Sequence, residues 1–166
     1  TIDTNRPNLL RCRTFSKAHG LAGARIGYAI AHETLATAFN RIRNHFGVNR
    51  IGQHAALAAL EDRAWLNSVV HQVAMSREEI GRIARANGLT PLPSATNFVT
   101  MDCGADGVFA RSVVAQLIAQ GCFVRMPFVA PEDRCIRVTC GKDEDLSVFA
   151  RALPIALAQA RDSAGQ

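Results

Sequence analysis

Apolar residues along this chain alternate between the two-residue period of strands and the three-to-four-residue period of helices, and that alternation confines it to α/β architectures. Residues 9–13 (LLRCR) and 25–30 (RIGYAI) read as short strands, joined by the turn-rich TFSKAHGLAGA with Gly20 and Gly23. From Glu33 the period changes. Leu35, Phe39, Ile42 and Phe46 share one helical face, which Gly47 should end. An Ala-rich helix follows through Gln53, Ala56 and Leu60, with a longer helix after it. Leu66, Val69, Val73, Ile80 and Ile83 stripe that helix, and Asn87-Gly88 should stop it. The two prolines of 89–97 (LTPLPSATN) mark a boundary.

Beyond the boundary the pattern is strand (98–101), helix (Phe109, Val113, Leu117, stopped by Gly121), strands at 123–125 and 135–140, and a last helix. Asp143, Glu144 and Asp145 open that helix, where carboxylates suit its dipole. Its stripe is Leu146, Phe149, Leu153 and Leu157. Pro154 should kink it or start a second segment, and the tail RDSAGQ should fray. Tyr28 and Trp65 are expected to pack, and His45, His54 and His71 to lie on helical segments.

Several function classes recede on composition. No apolar run approaches the roughly 20 residues of a membrane span. The opening TIDTNRPNLLRCR has neither the apolar core nor the cleavage site of a signal peptide. Net charge is +5, but the arginines are scattered from Arg6 to Arg161 with no basic cluster interleaved with aromatics. That reads as a solvated surface, not a nucleic-acid footprint. Cys12, Cys103, Cys122, Cys135 and Cys140 form no C-x-x-C pair. They read as small apolar residues in a reducing cytoplasm, not as metal ligands or disulfides.

One bias is sharper. The chain holds 17 arginines and only two lysines, Lys17 and Lys142. Arginine serves wherever a generic cation suffices, but it cannot replace an amine that must condense with a carbonyl. Lys17 follows a strand end, where α/β proteins place ligands. Thr14 and Ser16 offer hydroxyls, Arg25 opens the next strand with a guanidinium fork suited to phosphate, and Gly20, Gly23 and Gly27 permit close backbone approach.

The stretch Ser16-Lys17-x-x-x-Leu21-Ala22-Gly23-x-Arg25-x-Gly27-Tyr28 resembles the lysine signature of the class I/II (fold type I) aminotransferases that use pyridoxal 5'-phosphate (PLP), most closely the histidinol-phosphate aminotransferases. Further segments resemble the same family: 94–98 (SATNF), 121–125 (GCFVR) and 135–141 (CIRVTCG). The likeness covers almost the whole chain. It implies that Lys17 carries PLP and shuttles a proton, and that Arg25, Thr14 and Ser16 hold the cofactor phosphate. It also implies that Arg137 binds the substrate carboxylate or its equivalent. Strand alternation agrees for Arg137: Ile136 and Val138 should face one way, Arg137 and Thr139 the other. Arg125 and Asn97 read as structural residues.

The fold so implied is the end of the large-domain sheet (1–62), a connecting helix (63–90) and a small α/β domain (91–166). The implied activity is transfer of an amino group from a donor such as histidinol phosphate to a 2-oxo acid, by a cytoplasmic homodimer with no nucleic-acid or membrane partner. Enzymes of this type carry roughly 150–200 residues before the lysine, which would include the groups that hold the pyridine ring. The chain is therefore expected to be a fragment, weak in cofactor binding by itself. Threonine-phosphate decarboxylases share the lysine motif, and some transcription regulators carry a PLP-sensing domain of this kind. Both remain alternatives.

Overall fold

The computed structural model describes residues 3–164. The chain divides into two compact units, Thr1–Val70 and His71–Gln166, with the division inside one long helix.

In the first unit, strand β1 (Leu10–Thr14) pairs antiparallel with β2 (Gly27–Ala31), in a register running from Leu10 opposite Ala31 to Thr14 opposite Gly27. Helix α1 (Glu33–Ala38) begins where the His32 ring accepts the Thr34 N–H. Helix α2 (Arg50–Glu61) begins where the Asn49 side chain accepts the Gly52 N–H. The single helix expected over 33–47 is not formed. It ends at Ala38, a 3-10 turn covers Phe39–Arg41, and His45 lies outside any helix. Ile42 and Phe46, its expected apolar stripe, are 80% and 96% exposed. A helix is sustained mainly by burial of its apolar face, and none of the described residues of this unit buries these side chains. Among the described residues of this unit only Phe15, Ala56 and Gly52 are buried.

Helix α3 (Arg63–Ala86) runs from one unit into the other. It stops as expected, with Gly88 at φ +78° and the Leu89 N–H returning to the Ala84 carbonyl at 3.0 Å. Trp65 does not pack as anticipated and is exposed.

The second unit holds an antiparallel sheet of β3 (Thr90–Pro91), β4 (Phe98–Asp102) and β5 (Cys135–Thr139), in the order β3-β4-β5. The proline-bearing boundary thus supplies a short edge strand that the sequence pattern did not reveal, consistent with the tolerance of edges for proline. Residues 123–125 form no strand, contributing only a bridge between Arg125 and Arg137. Helix α4 (Gly107–Ala119), capped by Asp106, packs on α5 (Asp143–Ala164).

One apolar core joins these elements: Val99, Met101, Ile136 and Val138 from the sheet, with Ile80, Val113, Leu117, Leu153 and Leu157 from the helices. Each such side chain stabilises the fold by about 1.5–3 kcal/mol when fully buried. The largest fully buried side chains of the described residues all lie in this unit, so most of the hydrophobic stabilisation resides here. Pro154 does not divide α5, which continues through Ala164 into the tail expected to fray; Gly165 and Gln166 lie outside the described residues. The proline faces outward while Leu153, Ala156, Leu157 and Ala160 are buried on both sides of it, and that packing carries the helix past the missing N–H.

Candidate active site

The hairpin of β1 and β2 opens into a loop whose ends are closed by backbone hydrogen bonds. The Phe15 N–H donates to the Ile26 carbonyl at 3.3 Å, and the Leu21 N–H to the Phe15 carbonyl at 2.9 Å. Phe15 is 2% exposed, with the rings of His19 and Tyr28 at 5.0 and 5.5 Å. Burying this alternate residue turns its neighbours outward. Thr14 ends β1 exposed, Ser16 is half-buried, and Lys17 is exposed.

The Ser16 N–H donates to Thr14 Oγ1 at 3.0 Å, which aligns the two hydroxyl residues in one local turn. The Gly20 N–H closes a tight turn onto the Lys17 carbonyl at 2.8 Å, with Gly20 at φ +70°. Among the described residues the Lys17 amine has no hydrogen-bond or ion-pair partner. His19 Nδ1 is buried without a hydrogen-bond partner.

Arg25 does not begin β2, as its sequence position suggested. It sits two residues before the strand, in the left-handed conformation at φ +52°, ψ +48°, at the end of a 3-10 turn over Ala22–Ala24. A side chain there costs roughly 1–2 kcal/mol, so the loop must hold it. Two contacts do so: Arg25 Nη1 donates to the Ala22 carbonyl at 2.8 Å, and Asn49 Nδ2 to the Ala24 carbonyl at 2.9 Å. Asn49 was not singled out in the sequence. Its place before a helix signals a cap, but the reach to Ala24, 25 residues away, is a tertiary fact.

Thr14, Ser16, Lys17 and Arg25 thus share one loop of the first unit. Arg137 belongs to the second. It alternates as expected, partly exposed between buried Ile136 and Val138, with its guanidinium carbon 4.7 Å from the centre of the Phe98 ring. Arg125 places its own guanidinium 5.8 Å from the Phe123 ring centre. The Asn97 backbone carbonyl accepts the Cys140 N–H at 2.9 Å. No group of three or more His, Cys, Asp or Glu side chains that could hold a metal ion occurs among the described residues.

A lysine offered from a turn between strands, hydroxyls beside it and an arginine closing the same loop define a class, and residues 3–153 match the model of aminotransferase class I and II. The chain belongs to that family. It is 39% identical over 158 residues to histidinol-phosphate aminotransferase 2 of Ralstonia nicotianae, covering 95% of this chain and 42% of the relative. It is 40% identical over 151 residues to histidinol-phosphate aminotransferase 1 of Cupriavidus pinatubonensis, covering 91% and 40%. The solved histidinol-phosphate aminotransferase of Sinorhizobium meliloti, in complex with pyridoxal-5'-phosphate, superposes with a TM-score of 0.88 at 53% identity, covering 93% of this chain and 42% of that one. The architecture is accordingly the α/β fold of the type I transferases. The chain spans about two fifths of the length of these relatives.

Proposed function

We propose that this chain serves a PLP-dependent aminotransferase that moves an amino group between histidinol phosphate and a 2-oxo acid, as a cytoplasmic homodimer. The observation that carries this reading is the loop of Lys17. An exposed amine without a partner among the described residues stands beside two hydroxyl side chains, and an arginine at the loop's far end is held in a backbone conformation that costs energy. This donor set fits a phosphorylated aldehyde. The amine would be the group that bonds the aldehyde, while hydroxyls and guanidinium are the donors a phosphate takes. The names of the relatives support the substrate, and the PLP complex of the Sinorhizobium meliloti enzyme supports the cofactor.

In this reading Lys17 Nζ would hold the cofactor and would serve as the base and acid that moves the proton at the substrate carbon. Arg25, Thr14 and Ser16 hold the phosphate. When bound, PLP supplies the electron sink that makes that carbon acidic. Arg137 holds an anionic group of the substrate as a guanidinium fork. Residues 1–62 are the end of the large domain, 63–90 the connecting helix and 91–166 the small domain.

The test uses the protein at its natural length. Loading it with PLP, reducing with borohydride and mapping the label by mass spectrometry should place the phosphopyridoxyl group on Lys17; a label elsewhere, or none, removes the reading. With histidinol phosphate and 2-oxoglutarate, glutamate should form. Release of CO2 from threonine phosphate instead would move the chain to the decarboxylases.

A further inference from the structure

We infer that Asn49 is a positioning residue for the phosphate-holding arginine, an inference that rests on the proposed role of Arg25. Asn49 uses both ends of its amide. Oδ1 accepts the Gly52 N–H at 2.6 Å and caps α2, while Nδ2 donates to the Ala24 carbonyl at 2.9 Å. The Ala24 carbonyl and the Arg25 N–H belong to one planar peptide. Anchoring that plane sets the origin from which Arg25 turns into its left-handed conformation. The guanidinium contact to Ala22 acts on the other end of the same residue.

Gly52 supports the assignment independently. It is buried, and a Cβ there would lie 3.0 Å from both amide atoms of Asn49 and 3.3 Å from the Ala24 carbonyl oxygen. The absence of a side chain at Gly52 lets the first turn of α2 come close enough for the bridge. A cap alone needs neither the second hydrogen bond nor that space. Aspartate or serine would cap the helix equally well, but neither can donate an amide N–H to Ala24. The asparagine is therefore matched to two tasks, and only one of them concerns the helix.

The test compares PLP with pyridoxal, which lacks the phosphate, by equilibrium dialysis against the protein at its natural length. Asn49→Asp keeps the cap and loses the donor. It should weaken PLP binding about 3–10-fold, the loss expected for one hydrogen bond, and leave pyridoxal binding unchanged. Arg25→Ala should show the same selectivity more strongly, and the double variant should be no weaker for PLP than Arg25→Ala alone. If Arg25→Ala weakens both ligands alike or neither, the phosphate role of Arg25 fails and the inference goes with it. If Arg25→Ala is selective but Asn49→Asp is not, or if the two losses add fully, Asn49 is only a helix cap and the inference alone is overturned. Should Asn49→Asp not fold, Asn49→Ser makes the same distinction.

Discussion

Single residues in the hairpin are constrained by backbone rather than by packing. A Cβ at Gly27 would lie 2.6 Å from the Arg13 carbonyl oxygen, so Gly27→Ala must part β1 from β2 beside Thr14. We expect it to destabilise the protein by about 1–3 kcal/mol, measured by urea unfolding. Asp102 makes a different prediction. The Gly104 N–H holds its carboxyl below the ordinary 3.8; partial burial opposes this and the Arg134 guanidinium at 2.9 Å adds to it. A depressed folded value gives stability that is complete above the ordinary carboxylate range and lost as pH falls through the folded value. Melting temperature should therefore drop between about pH 5 and pH 2, and Asp102→Asn should make that acid limb shallower. The thiols separate by burial. Cys12 is exposed, whereas burial pushes the Cys103 thiol up to about 12. In the native chain, iodoacetamide at pH 8 should label Cys12 first and Cys103 only after unfolding.

At the scale of elements, α5 carries the sharpest expectation. Pro154 lacks the N–H that would bond one turn back, yet it lies on the exposed side of a helix whose other face is buried. Pro154→Ala restores the hydrogen bond without touching the core and should stabilise by up to about 3 kcal/mol, raising the urea midpoint at unchanged slope. Leu153→Ala, one residue away, removes a fully buried side chain and should cost about 2–5 kcal/mol. Opposite signs at adjacent positions would separate the backbone cost from the packing gain. Unchanged stability in Pro154→Ala would mean that the helix accommodates the proline without loss.

Across the whole molecule, the two units differ in how much apolar surface they bury. The second unit contains the continuous core, while the first leaves Ile42, Phe46 and Ile51 exposed. Amide exchange measured on this chain should be slowest in β4, β5 and the buried turns of α4 and α5, and fastest between residues 39 and 49. Equal protection in both units would contradict this distribution of burial.

Much of the architecture was legible because it is local. The stripes of α4 and α5, the glycine stops at Gly88 and Gly121, and the alternation that exposes Arg137 all follow from side-chain period and backbone freedom. The loop that carries Lys17 was legible as a turn between two strands because its glycines and the flanking strand residues are local signals. Other features depended on contacts distant in sequence. The helix through Phe46 was not formed because no partner surface among the described residues of its unit rewards it, and Pro154 did not break α5 because buried neighbours hold both halves. The left-handed turn of Arg25 and its tether to Asn49 required α2 to fold back onto the loop. Period and composition state what each segment can do alone; only the packed chain decides which of those options its neighbours stabilise.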